Sequence, residues 1–199
     1  MSKDLYEVIK ERRTIYGLSK EITVSDERIK EVVEFAVNNT PSAFNSQSSR
    51  AVVLLGKEHD ALWEIAKDAL RKIVPAEAFA QTEDKINSFK SGYGTILFFE
   101  DESVVKGLQE QFALYKDNFP VWSEQSSGML QINVWNALSA EGLGASLQHY
   151  NPLIDDEVKA KWNIPANWKL RGEMPFGKAT SPAGEKAFLP IDQRVKIFK

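Results

Sequence analysis

The hydrophobic positions of this chain switch between a helical period and short unbroken runs. Leu5, Val8 and Ile9 share one helical face behind Ser2, a candidate N-cap, and predict a helix to about Arg13. Behind Ser25, the positions Ile29, Val32, Val33, Ala36 and Val37 follow the i, i+3, i+4, i+7, i+8 stripe of a core-facing helix. Pro41 disfavours helix at Thr40, so that helix stops there and the chain turns through Pro41-Ser42-Ala43-Phe44-Asn45-Ser46-Gln47. Ala51 to Leu55 is an unbroken apolar run, the pattern of a strand covered on both faces as in parallel sheets. A third helix carries Leu62, Ile65, Ala66 and Ala69, and a looser helical stretch surrounds Ile86 and Phe89.

Gly92-Tyr93-Gly94 predicts a tight turn into a second central strand, Thr95 to Phe99. A short helix and an aromatic segment (Phe112, Tyr115, Phe119, Trp122) precede a long helix predicted from Ser123 to Leu143, closed by Gly142-Leu143-Gly144. Ala145 to Gln148 predicts a short strand, Asp155 caps a helix bearing Val158 and Trp162, and Trp168 to Met174 predicts another strand. Pro175 to Lys178 has the composition of a turn. At the end of the chain, Val195, Ile197 and Phe198 alternate with no room for a hairpin partner, so they are expected to pair outside their own sheet.

Composition narrows the chemistry. With 43% hydrophobic and 27% charged residues, the 199 positions suit one globular domain spanning 1–199. A net charge of -3 argues against a nucleic-acid partner, which would need a basic stripe. No apolar run is long enough for a bilayer or a secretory signal, so no membrane partner and a cytoplasmic location are expected. There is no cysteine, and His59 and His149 are the two histidines, which excludes thiolate catalysis and any His-rich zinc site within one chain. Gly-x-Ser-x-Gly and Walker patterns are absent as well. A chain this poor in reactive groups and rich in neutral hydrogen-bonding loops points to chemistry carried by a bound cofactor.

Several segments offer places to hold one. The adjacent Arg12 and Arg13 followed by Thr14 suit either the end of a helix or a phosphate, because Arg presents a rigid fork of donors. Ser42, Asn45 and Gln47 both donate and accept, which suits the edge of a planar heterocycle as well as an ordinary loop. The aromatic segment reads as core packing or as a ligand-facing wall.

Arg12-Arg13-Thr14, the Pro41-Ser42-x-x-Asn45-Ser46-Gln47 turn, Gly142-Leu143-Gly144 and Lys186 before Leu189-Pro190 occur in the order seen in the nitroreductase family of FMN-dependent oxidoreductases. The whole chain resembles that family, above all its short branch, which includes a bacterial copper-induced nitroreductase and yeast proteins linked to fatty-acid repression. The resemblance implies an α+β, nitroreductase-like fold: a central mixed sheet wrapped by helices, in a homodimer whose C-terminal strands are swapped, with FMN at the interface. It implies NADH or NADPH as donor, a small-molecule acceptor such as a nitroaromatic or quinone, and ping-pong hydride transfer through flavin N5, with no catalytic side chain. The alternative is a flavin-binding regulator of lipid or stress response with little turnover.

By position, the resemblance implies that Arg12 and Lys186 bind the phosphate, with Arg13 and Thr14 nearby. Pro41, Ser42, Ala43, Asn45 and Gln47 would come from the other subunit, and Gln148, His149 and Tyr150 would lie along the flavin. Tyr115, Phe119 and Trp122 are the candidate acceptor pocket. The chain departs from the family pattern twice: Tyr16 stands where Lys or Arg is common, and Phe188 where a phosphate-binding Arg is common, leaving Arg12 and Lys186 with more of that task or Arg194 as a substitute.

Overall fold

The computed structural model describes residues 4–199; Ser2, the predicted first N-cap, lies outside the described residues. In order the chain forms α1 (Leu5–Glu11), β1 (Leu18–Ser19), α2 (Asp26–Asn39), β2 (Ser49–Leu55), α3 (Gly56–Arg71), α4 (Phe79–Lys90) and β3 (Gly94–Asp101). Then follow α5 (Glu102–Gln111), α6 (Phe119–Ala140), β4 (Gly144–Ala145), α7 (Asp155–Trp162) and β5 (Trp168–Ala179).

The α2 stripe forms as its period predicts. The Ser25 hydroxyl accepts the Arg28 N–H at 3.2 Å, Ile29, Val32, Val33 and Ala36 are buried, and the helix yields to extended backbone at Thr40, before Pro41. Val37 falls at the edge of the stripe and stays exposed. The strand order is β1-β5-β3-β2, with β4 also on β5. One face of the sheet packs on α2 and α6 through Ile96, Phe98 and Met174; the other packs on α3, α4 and α7 through Leu97, Phe99 and Leu170. The fold is therefore α+β, a sheet wrapped by helices, as the sequence implied. Among the described residues the strand ladders all run antiparallel, and parallel pairing is confined to the isolated bridge Thr14–Ala145.

Five local expectations change. The run from Ala51 to Leu55 is not a parallel strand buried on both faces: β2 pairs antiparallel with β3 at the sheet edge, where only Leu54 is buried. Pro175 to Lys178 is not a turn but the second half of β5, opposite Thr95, Gly144 and Ser19. Asp155 is the first residue of α7 rather than its cap, a position held by Ile154. The long helix starts at Phe119, with Pro120 in its first turn, where a missing N–H costs nothing. Gly142 ends it at φ +80°, as expected of a helix-terminating glycine. Ala145 to Gln148 contributes only the end of β4 and a bridge from Gln148 to Glu173. The tail forms no strand within the chain, and Val195, Ile197 and Phe198 are exposed.

Gly177 explains why β5 carries the composition of a turn. A Cβ there would stand 2.5 Å from the Ser19 carbonyl and 3.0 Å from the Tyr93 amide, both backbone atoms that cannot step aside. Gly177→Ala is expected to cost about 1–3 kcal/mol, the usual penalty for overpacking, read as a lower urea midpoint. An unchanged midpoint would contradict this packing. Among the described residues, no helix is long and apolar enough to cross a membrane.

Candidate functional site

Two groups of predicted site residues assemble in different parts of the chain. The first is basic. Arg12 ends α1 and lays its guanidinium over the Trp135 ring of α6, 4.6 Å from the centroid. Arg13 donates from Nη2 to the Gly184 carbonyl at 2.6 Å, which draws the C-terminal segment bearing Lys186 back towards α1. Lys186 places its ammonium 5.2 Å from the Phe188 ring centroid, so the residue standing in the expected Arg position touches the remaining cation instead. Among the described residues no carboxylate pairs with Arg12, Arg13 or Lys186. Partial burial, then the charge of Arg13, lower the pKa of Arg12. Unlike a helix-capping pair neutralised by neighbours, this is a surplus of positive charge that an anion would relieve.

Beside the cations runs a strip of backbone. Thr14 bridges Ala145, Ile15 donates to the Ala145 carbonyl at 2.9 Å, and Tyr16 is exposed with its ring 6.5 Å from Phe89. On the far side of β4, Gln148 exchanges two hydrogen bonds with the Glu173 backbone, at 2.7 and 2.9 Å. The Tyr150 N–H donates to Glu173 Oε2 at 2.9 Å, and its ring packs against Trp63 and Phe89. His149, between them, is exposed and makes no hydrogen bond among the described residues, so nothing arranges it as a base.

The second group is the Pro41 to Gln47 turn. Ser42 Oγ accepts the Gln47 N–H at 2.9 Å, and the Ser42 carbonyl accepts Asn45 N–H at 3.0 Å. Phe44, Asn45 and Gln47 all have φ near +50° (56°, 50° and 49°), a left-handed run that Asn tolerates and Phe does not without support. That support has two sources. The Ser48 and Ser49 hydroxyls both donate to the buried Glu100 carboxylate, Ser48 at 2.6 Å, while Arg50 donates to the Gln47 carbonyl and pairs with Asp101 at 2.9 Å. Burial pushes the Glu100 carboxyl up, and the two hydroxyls counter it.

The other support is aromatic. Phe44 sits among Phe112, Phe119, Tyr115 and Trp122, at ring-centroid distances of 5.0, 5.3, 5.9 and 6.0 Å, nearly parallel to Trp122. The three residues predicted as an acceptor pocket thus converge on a fourth, Phe44, and only Phe119 among them is buried. A hollow of about 470 Å³ opens beside them between Pro41, Ser42, Phe44, Trp122, Ser126 and Met129. A larger cavity, about 580 Å³, lies behind the turn against Asn38, Thr40, Gln47 and Arg50. No hydrogen bond, ion pair or ring contact among the described residues links the turn to the basic group.

Sequence reading overlooked Phe44, Glu100, Trp135 and Glu173. For Glu100 and Glu173 a signal was present, since each carboxylate interrupts or ends an apolar strand and needs a reason to be buried.

This architecture has close counterparts. Nitroreductase CinD from Lactococcus lactis, solved in complex with chloramphenicol, superimposes with a TM-score of 0.91 at 49% identity, covering 98% of this chain and 100% of that one. Its complex with 4-nitrophenol gives 0.90 at the same identity and coverage. The yeast (Saccharomyces cerevisiae) protein HBN1 is 38% identical over 191 residues, 94% of this chain and 93% of the yeast protein. A sequence model of the nitroreductase family matches residues 9–178, which takes in Arg12 to Tyr16, the turn, the aromatic cluster and the Gln148 to Tyr150 strip. The order of motifs, the sheet with its wrapping helices and these matches agree: the chain belongs to the nitroreductase family.

Proposed function

We propose that two copies of this chain hold FMN between them and use it to pass electrons from NADH or NADPH to nitroaromatic or quinone acceptors. Family membership makes the chain an oxidoreductase. The observation that carries the finer reading is the group of Arg12, Arg13 and Lys186, without carboxylate partners among the described residues, beside a strip of backbone and the exposed Tyr16 phenol. Such a donor set fits a phosphate joined to a planar ring system. Bound FMN would supply reversible hydride chemistry at its N5.

The chain's own work is then binding and orientation. Arg12 and Lys186 would neutralise the phosphate, with Arg13 and Thr14 beside them, and Gln148 to Tyr150 would hold the ring system. Tyr16 would offer it one phenolic hydrogen bond and no charge, which leaves added negative charge less stabilised than a Lys or Arg would.

The turn with Pro41, Ser42, Ala43, Asn45 and Gln47 would complete the site of the other subunit. Its separation from the basic group within one chain favours this, as do the exposed apolar side chains on α1, α2 and α6 (Leu5, Ile9, Phe35, Met129, Ile132). The exposed tail, Val195 to Phe198, and the unpaired edge of β2 are the natural complement of the same side chains in a second copy. CinD was solved with two nitro compounds, chloramphenicol and 4-nitrophenol, which suits the aromatic hollow at Phe44 and Trp122 here.

An absorbance spectrum of the purified protein, before and after anaerobic NADH and NADPH, tests this. Bound flavin bleached by either nucleotide and recoloured by a nitroaromatic is the expected result. Bound flavin that is reduced only slowly favours the regulator, and no flavin absorbance after FMN addition overturns the reading.

A further inference from the structure

Among the described residues, Glu173 is the most deeply buried carboxyl group on which no cation acts. It lies in β5, fully buried, and makes three hydrogen bonds to one short segment: both backbone groups to Gln148 and Oε2 to the Tyr150 N–H. Its other oxygen, Oε1, has no partner. Nor do two more buried acceptors from the chain just beyond Tyr150, Asn151 Oδ1 and Asp155 Oδ1. These oxygens lack a donor, as the buried Arg171 Nε lacks an acceptor, and a proton on the Glu173 carboxyl would spare Oε1 the cost of a buried, unpartnered negative charge.

The surroundings favour that proton. Asp155, at the start of α7, is the charge that acts on Glu173, and it is negative. The cations nearby, Lys159 of α7 and Lys169 and Arg171 of β5, act instead on Asp155, as does Asp156. Trp63 of α3 and Phe89 of α4 cover the Tyr150 side with rings. The Tyr150 phenol is held neutral, its pKa pushed up to about 12 by burial and then by Glu173. Burial pushes the Glu173 carboxyl up to about 8, against the pull of the Tyr150 N–H.

We propose, resting on the FMN reading above, that Glu173 is a positioning residue which bolts the Gln148–Tyr150 strip to the sheet and, by losing or keeping its proton, ties the reduction potential of the bound flavin to pH. The sign follows from Coulomb's law. Below about pH 8 the group is neutral and the strip borders the ring system without a net charge behind it. Above it, a buried and unscreened negative charge opposes the arrival of further negative charge on the ring, so the potential falls more steeply with pH. The same proton affects stability. The folded-state pKa, about 8, lies above the ordinary carboxyl value, so the folded protein binds the proton more tightly. Stability from this group is complete below the ordinary value and is lost as pH rises towards 8.

The test is a redox titration of the FMN-loaded protein from about pH 6 to 9.5, with urea unfolding of the flavin-free protein over the same range, for wild type, Glu173→Gln and Asp155→Asn. Glutamine keeps an acceptor for the Tyr150 N–H and cannot ionise. In wild type the potential should bend downwards near pH 8, and in Glu173→Gln it should run straight through. The variant's urea midpoint should gain on wild type as pH rises. Asp155→Asn removes the neighbouring negative charge and should move the bend to lower pH, which keeps the test open if Glu173→Gln folds poorly. Flavin that binds wild type and variants alike, with the same bend or none in all, overturns the role of Glu173. A protein that takes up no flavin in any form overturns the FMN reading and this proposal with it.

Discussion

Replacing Arg12 and Lys186 together by alanine is expected to weaken FMN binding by roughly 10²- to 10⁴-fold. A hydrogen bond between charged partners contributes about 1.5–3 kcal/mol, or about 10- to 100-fold for each side chain removed. The fold should hardly notice. Neither residue pairs with a carboxylate among the described residues, and the charge that acts on the Arg12 pKa is the like charge of Arg13. What Arg12 gives the free protein is its stacking on Trp135, so the urea midpoint should move little while flavin affinity, read by quenching of flavin fluorescence, collapses. Retained affinity would mean that the phosphate lies elsewhere, with Arg194 the remaining candidate. Because Phe188 brings no charge where an arginine would, the loss should already be large in each single variant.

Trp63→Ala should be the most damaging single change to the fold, at about 3–5 kcal/mol out of the 5–15 kcal/mol that hold a typical domain together. Trp63 is wholly buried between α3 and the sheet, and its Nε1–H donates to Thr95 Oγ1 at 3.0 Å. The same hydroxyl bonds His59 Nδ1 at 2.8 Å, while His59 Nε2 lies 3.1 Å from the Lys90 carbonyl. A carbonyl can only accept, so His59 carries its proton on Nε2, and Nδ1 accepts from Thr95. Burial lowers the His59 pKa, in keeping with that neutral ring. Removing the indole opens a cavity, takes a donor from this chain and strips the edge contact from Tyr150, so the strip beside the proposed flavin site should loosen too. Urea unfolding measures the first effect. A loss under about 1 kcal/mol would show that the site collapses around the gap. Trp63→Phe, which keeps most of the volume, should cost less.

His59 also shows how far a sequence can be read. A lone histidine among helix-forming residues has no visible partner until α3, α4 and β3 come together around it. The α2 stripe needed no such help, because a 3.6-residue apolar period, a serine cap and a proline stop are all written locally. The Ala51 to Leu55 run misled for the opposite reason. Five apolar residues say that a strand is buried, but whether it lies at the centre or the edge depends on which strands reach it, and Gly56 to Lys90 carries the chain away before β3 returns antiparallel. Pro175 to Lys178 looked like a turn because Gly177 is there for a close backbone approach that only the pairing with β1 and the contact with Tyr93 reveal.

The sequence by itself determined the helices with a clear period, the absence of cysteine and histidine-rich chemistry, and the order of motifs that places the chain in its family. These depend on residue type and short-range spacing, which the chain carries whatever its tertiary path. Only the tertiary structure decided that Arg13 reaches Gly184, that four rings gather around a strained Phe44, that Glu100 anchors the turn, and that Glu173 lies buried behind Gln148 to Tyr150 with Asp155 as the charge that acts on it. Those contacts join residues far apart in the chain, and their energies come from burial and from partners that no local pattern encodes.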